Sequence, residues 1–300
     1  MMPEKIVYEY CPACQSSHIY PVLSAKDYTV SGEMFEIWHC DECSLGFTQN
    51  VPGPDFIGPY YQSADYVSHS DTEKGLVNRL YHLVRNRTLQ SKRKLLQGIT
   101  GKDKANLLDI GAGTGAFANT MKQTGWEVTA LEPDETARQN ALNKYRLELE
   151  STDRLFTLEA DRFDAITMWH VLEHVHDLHS YFTRFYQLLR QEGRLVIAVP
   201  NYTSYDAKKY REFWAAYDVP RHLYHFSPKS MELLAGTKGF TLEAIAPMWY
   251  DSFYVSMLSE QYKNGSGNLP GALWNGALSN CKTLLDKKKC SSLIYVFRKK

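Results

Sequence analysis

Three short stretches hold the residue types that do chemistry. Four of the six cysteines fall as "CPAC" and "CDEC", at Cys11, Cys14, Cys40 and Cys43. Two residues between cysteines let both thiolates turn onto one ion, and two such knuckles close a four-thiolate zinc site. A closed site leaves no open position for a substrate, so this zinc is expected to staple a fold too small to hold its own core. A redox dithiol is the other use of C-x-x-C, but it opens a helix in a thioredoxin-like unit, and no such pattern follows here. The second stretch, "LLDIGAGTGAF", sets Asp109 before Gly111, Gly113 and Gly115. The third, "DVPRHLYHFS" at 218–227, crowds two histidines, an arginine, an aspartate and a tyrosine into a connecting loop.

The elements that position these residues divide the chain in three. Residues 1–58 alternate aromatic and polar positions, as short ribbon strands do. They hold Lys5 and Lys26 against eight carboxylates, Glu4, Glu9, Asp27, Glu33, Glu36, Asp41, Glu42 and Asp55. Residues 59–104 form a Pro- and Gly-marked linker and a basic helix over 73–98, whose charges face solvent or the acidic ribbon, or in a sharper reading RNA. From 105 to 300 strands and helices alternate: "ANLLDIG", "WEVTALEP", "RLELES", "RFDAITMW" and "RLVIAVP" read as strands, with amphipathic helices between them. Such alternation with short links makes a parallel, doubly wound α/β sheet. An aromatic-rich helical insertion is expected at about 251–290, before a last strand "SLIYVFRKK". The formal net charge is zero, there is no apolar leader, and no apolar run reaches membrane-spanning length. The expectation is a cytoplasmic protein with no membrane span; oligomeric state is not legible.

In the second stretch a buried strand ends in a glycine turn that opens a helix, and Glu132 ends the next strand about twenty residues on, placed to accept both hydroxyls of a ribose. Ala116 stands where a dinucleotide fingerprint has its third glycine, which that fingerprint tolerates, so a dehydrogenase stays open on this point; a Walker A lysine is missing. Asp109 with the glycines, "ALEPD" and "WHVLEHVHD" resemble the motifs of class I S-adenosylmethionine-dependent methyltransferases over roughly residues 105–247. The resemblance implies a Rossmann-like seven-stranded sheet, with Gly111, Gly113 and Gly115 beside the methionine part of the cofactor. It further implies Glu132 on the ribose, Pro133 near adenine, and Asp109 orienting the loop or meeting the ligand ammonium. Asp153, Glu159 and Asp161 compete for the adenine amine. Ligands bind beyond strand C-termini, so Trp169 or His170 is expected to touch the cofactor. His170 and His174, four apart with Glu173 between, also have metal-ligand spacing, against a plainer role in packing the strand exit.

A ribbon ahead of such a domain resembles sugar methyltransferases that add carbon or oxygen methyls to nucleotide-activated deoxysugars. Their base is a histidine in a Tyr-x-Glu-His-Leu stretch; here "VPRHLYHFS" matches at His222, Leu223, Phe226 and Ser227 but has Val219 and Arg221 where the Tyr and Glu belong. The likeness implies His222 as base and a small-molecule or sugar-nucleotide acceptor methylated at a hydroxyl or carbon. Arg221 is expected to grip an anionic substrate group, and His225 to be structural. Tyr61 and Tyr66 are expected to close over the cofactor and acceptor from the N-terminal side, and Tyr250 to roof the acceptor. Two rivals remain: an rRNA methyltransferase, against which the acidic ribbon speaks, and a non-catalytic cofactor-binding scaffold, which the intact glycine loop and Glu132 disfavour.

Overall fold

The computed structural model describes residues 4–62 and 76–300, with the backbone alone from 76 to 83. At the N-terminus, β1 (Lys5–Ile6), β2 (Ile19–Lys26), β3 (Met34–Cys40), β4 (Gly46–Thr48) and β5 (Val51–Pro52) are short antiparallel strands. Period-two alternation sets their faces: in β3, Phe35 and Ile37 are buried and Glu36 is exposed. A basic helix α1 (Leu76–Thr100) leads into β6 (Asn106–Ile110), α2 (Ala116–Gln123), β7 (Glu127–Leu131), α3 (Glu135–Tyr145), β8 (Phe163–Trp169), α4 (Leu178–Leu188) and β9 (Leu189–Pro200). Then come α5 (Tyr205–Tyr210), β10 (Tyr224–His225), α6 (Pro228–Thr237), β11 (Phe240–Pro247), α7 (Asp251–Asn264), α8 (Leu269–Leu285) and β12 (Ser292–Lys299).

The large sheet has the order β11-β12-β9-β8-β6-β7. β7, β6, β8 and β9 run parallel, and β12 lies antiparallel to both of its neighbours. β6 is apolar on both faces (Leu107, Leu108 and Ile110 are buried), as a central parallel strand must be. Helix starts follow their caps: the Asp134 carboxylate accepts from Ala137 N, that of Asp177 from Ser180 N, and Ser227 forms a capping box with Ser230. The expected strand "RLELES" contributes only one parallel bridge, Leu131 to Glu150. Glu150 N donates to Ala130 O and Glu132 N to Glu150 O, so this edge segment pairs at its end alone and the sheet has six full strands plus that bridge.

The ribbon is not an independent unit. β10, from the histidine-rich loop, adds to the β4-β3-β2 sheet, Tyr224 opposite Phe47 and His225 opposite Gly46. One apolar cluster runs from Leu45 and Phe47 through Leu223 and Phe226 to Ile110 and Met168, so ribbon and sheet share a core.

Arg221 locks this junction. Its fully buried guanidinium donates to Asp27 at 3.0 Å, to Asp218 at 2.6 Å and to the carbonyl of Tyr60 at 2.7 Å. Burial alone would lower its pKa; the two carboxylates raise it instead and hold the charge. This corrects the expectation that Arg221 grips an anionic substrate: its donors are taken by the protein and no surface of it meets solvent. Removing one partner of a buried ion pair strands the others, at a cost of about 3–5 kcal/mol. Arg221→Leu is therefore expected to lower unfolding free energy by about that much in urea titration, and adding Asp27→Asn with Asp218→Asn to restore part of it.

Candidate functional site: a cofactor loop and a histidine-carboxylate cluster

The cysteine knuckles converge. Cys11 and Cys43 Sγ lie 3.5 Å apart, as do Cys14 and Cys40 Sγ, and one atom from each of the four falls within 4.8 Å of the rest. Thiolates about 2.3 Å from one zinc sit roughly 3.8 Å from each other, so the donor set fits the ion. Gln15 and Ser44, which follow the knuckles, take positive φ and donate to Cys11 O and Cys40 O, the turns that aim both thiolates inward. Zinc analysis is expected to find about one ion per chain, lost in Cys11→Ser with Cys14→Ser together with part of the thermal stability, because the knuckles belong to the shared core.

β6 delivers its glycine loop at the C-terminal edge of the sheet. Gly111 has φ +69°, and a Cβ there would stand 2.3 Å from Val171 Cγ2, so no other residue fits. Gly113, at φ +55°, faces open space, leaving its backbone accessible to a ligand. Buried Glu132 accepts from Gly113 N at 2.8 Å and Asp134 N at 3.0 Å. Burial pushes its pKa up while those amides oppose the rise, and each oxygen keeps a lone pair for a ribose hydroxyl. Asp109 takes a hydrogen bond from Thr167 Oγ1 at 2.7 Å on one oxygen; its other oxygen is buried with no partner, and burial raises its pKa to about 7. Trp169 Nε1 is likewise buried and unsatisfied. An orphaned acceptor and an orphaned donor suit the ammonium and carboxylate of an amino-acid ligand, so the residues present fit the methionine part of S-adenosylmethionine. Lys92 of α1 packs 4.2 Å over the Trp169 ring, its pKa lowered to about 8 by burial. The basic helix thus turns one lysine toward the cofactor loop, which its charge pattern did not reveal.

His170, at φ +58°, points its Nε2 to Asp251 Oδ2 at 3.0 Å and its Nδ1 toward Glu173 Oε1 at 3.4 Å. Burial would lower its pKa, but the two carboxylates raise it to about 10 and keep it a cation.

Glu173 is wholly buried in the turn after β8, and neither of its oxygens receives a hydrogen bond. Burial would raise its pKa, yet the surrounding histidines hold it down. Glu173, His174 and His222 each offer a ligand atom within 4.8 Å of the others. The His174 and His222 rings meet edge to face, centroids 4.7 Å apart. His222 Nδ1 donates to Ala216 O at 2.8 Å, since a carbonyl only accepts, and this leaves Nε2 as the lone pair. His174 Nδ1 stands 3.0 Å from both Arg221 O and Tyr61 Oη; burial first, then His222, lowers its pKa to about 4. Asp218 Oδ2 lies 3.9 Å from His222 Nε2. A divalent cation has a matching donor set here, each histidine being oriented by a carbonyl on its other nitrogen.

Of the residues singled out in the sequence, His222 and Tyr61 thus come together on His174. His225 instead faces the ribbon, donating to Thr48 Oγ1 at 3.0 Å. Pro133 is exposed at the end of β7, and Tyr250 is exposed just before α7. Tyr66 lies outside the described residues. Asp161 lies at the N-terminal end of β8, the edge opposite the glycine loop, and pairs with Lys299. Sequence reading noted Asp218 in the histidine loop without giving it a role, although it stands four residues from His222; it missed Asp251, which meets His170 only through the fold.

A family profile described as a methyltransferase domain matches residues 81–245, more than half of the chain. Relatives include ubiquinone biosynthesis O-methyltransferases of Alkalilimnicola ehrlichii, 34% identical over 35% of this chain and 45% of that protein, and of Xanthomonas axonopodis pv. citri, 29% identical over 49% and 67%. The demethylmenaquinone methyltransferase of Tropheryma whipplei is 27% identical over 55% of this chain and 67% of its own. The chain therefore spans about half to two thirds of the length of these curated relatives. Among solved structures, geranyl diphosphate C-methyltransferase from Streptomyces coelicolor A3(2) shares the fold at TM-score 0.52 and 13% identity, covering 78% of this chain and 87% of that one. A SAM-dependent methyltransferase from Archaeoglobus fulgidus does so at TM-score 0.50 and 17% identity, covering 72% and 94%. For the ribose contact, Glu132→Ala is expected to weaken S-adenosylhomocysteine binding in calorimetry by about tenfold to a hundredfold, and unchanged affinity would overturn the assignment. With its glycine loop, its strand-ending Glu132 and a matched stretch of this length, the chain belongs to the family of S-adenosylmethionine-dependent methyltransferase domains.

Proposed function

We propose that the protein transfers a methyl group to a hydroxyl, or to a carbon acid, of a small molecule or glycan precursor, with His222 as the base. When bound, S-adenosylmethionine supplies an electrophilic methyl on its sulfonium. The chain must then hold the acceptor in line, exclude water and remove a proton.

The observation that carries this reading is the state of His222. Its Nδ1 proton is tied to Ala216 O, so Nε2 is free to take the acceptor's proton. The imidazolium so formed lies beside ionised Glu173 and 3.9 Å from Asp218, whose pKa the neighbouring histidines and Arg221 hold down against burial. The acid that the His222 stretch lacks at Arg221 is thereby supplied from the β8 exit and from Asp218. Tyr61, bonded to His174, supports a hydroxyl-lined acceptor pocket.

The similarity to ubiquinone biosynthesis O-methyltransferases and a demethylmenaquinone methyltransferase favours a small-molecule acceptor over RNA. The acidic ribbon argues the same way, because phosphate contact needs lysines and arginines. With Arg221 buried, the His222 loop offers no cation to a sugar-nucleotide phosphate. A divalent cation on Glu173, His174 and His222 is a second reading, favoured by the absence of any hydrogen bond to Glu173.

The test screens catechols, demethylated quinols and deoxysugar nucleotides for S-adenosylhomocysteine release. On an acceptor so found, His222→Ala is expected to cut kcat by about 10²–10⁴-fold while S-adenosylhomocysteine affinity stays within twofold. Full turnover by that variant would remove the base. Loss of turnover to a chelator that leaves the cysteine zinc in place would favour the cation instead.

A further inference from the structure

The α7–α8 hairpin is built with its polar residues inward. On α8, Asn275, Ser279 and Thr283 are buried; Asn275 donates to Glu260 at 3.0 Å and Ser279 to Asp206 at 2.9 Å. The opposite face is apolar. Leu269, Leu273, Trp274, Leu284 and Leu285 are all exposed, Trp274 at 68% and Leu285 at 85%. Leu273 and Trp274 lie eleven residues, about three turns, before Leu284 and Leu285, with exposed Ala277 and Cys281 between them on the same side, so they fall on one stripe along the helix. Single exposed apolar residues are ordinary, but a stripe that runs the length of a helix marks a contact surface.

Charge selects the occupant. α8 contains no acidic residue, and Lys282, Lys287, Lys288 and Lys289 gather at its C-terminal end beside the single carboxylate of Asp286. We propose that the outer face of α8 docks on the surface of an anionic phospholipid bilayer, with the leucines and Trp274 at the acyl boundary and the lysines against the headgroups. A second copy answers the stripe but not the charge: two-fold pairing sets the lysines against an uncharged N-terminal half or against each other. Among the described residues no helix is long and apolar enough to cross a membrane, so α8 lies on the bilayer and does not span it. α7 opens at Asp251, the partner of His170, and β12, which follows α8, opens at Ser292 opposite Pro200 at the C-terminal end of β9, so the hairpin rises from the edge of the sheet that carries the glycine loop. The inference goes beyond the methyl-transfer reading and does not depend on it.

The experiment sediments the full chain with vesicles of phosphatidylcholine alone or with phosphatidylglycerol added. Binding is expected to the anionic vesicles and to weaken with salt. Lys287→Gln with Lys288→Gln should reduce partitioning by about fivefold per charge. Trp274→Ser with Leu285→Ser should reduce it at least about tenfold. Unchanged S-adenosylhomocysteine binding in both variants keeps folding separate from docking. No binding to anionic vesicles, or binding indifferent to Trp274 and Leu285, overturns the proposal. A dimer that Trp274→Ser dissociates, without vesicle binding, makes a second copy the occupant and overturns it too.

Discussion

The guanidinium of Arg221 fixes the relation between the ribbon and the methyltransferase sheet. It binds Asp27 from the ribbon, Asp218 from its own loop and the Tyr60 carbonyl from the linker, with its own side chain and that of Asp27 fully buried. An ion left alone at such a depth costs several kcal/mol, so the three segments move together or not at all. The β4–β10 pairing adds a ladder to that lock. Thr48 extends it with its hydroxyl, donating to His222 O and accepting from His225. The loop that carries His222 is therefore held as much by the ribbon as by the sheet. The four-cysteine cluster thus bears on the position of the His222 loop through the shared core.

The acceptor-side charges are balanced around that frame. His170, a cation between Asp251 and Glu173, favours the ionised form of a half-buried and a fully buried carboxylate. His174 is neutral because burial and its neighbour His222 both oppose a charge there. Buried atoms without a hydrogen bond remain on both sides: Asp109 Oδ2 and Trp169 Nε1 beside Lys92, and both oxygens of Glu173.

Much of the site was legible because its signals are local. A glycine turn needs particular residues at adjacent positions, and Gly111 cannot be anything larger beside Val171. The knuckle spacing, the Asp134 and Asp177 caps and the doubly apolar β6 are likewise written within a few residues. Arg221 misled for the same reason: beside a histidine it suggests a substrate grip, while its partner Asp27 lies far off in the sequence. "RLELES" has strand alternation, yet as an edge segment it finds partners only near Glu150.

The sequence alone determined the methyltransferase sheet class, the glycine loop and the two cysteine knuckles that converge, since each rests on periodicity or on spacing within a short stretch of chain. Tertiary structure decided which groups face His222. Glu173, His174 and Asp218 reach it, and Tyr61 meets His174 from the linker. It also decided that Arg221 is a structural ion and that α8 turns its leucines outward, because burial belongs to the assembled chain and to no single segment.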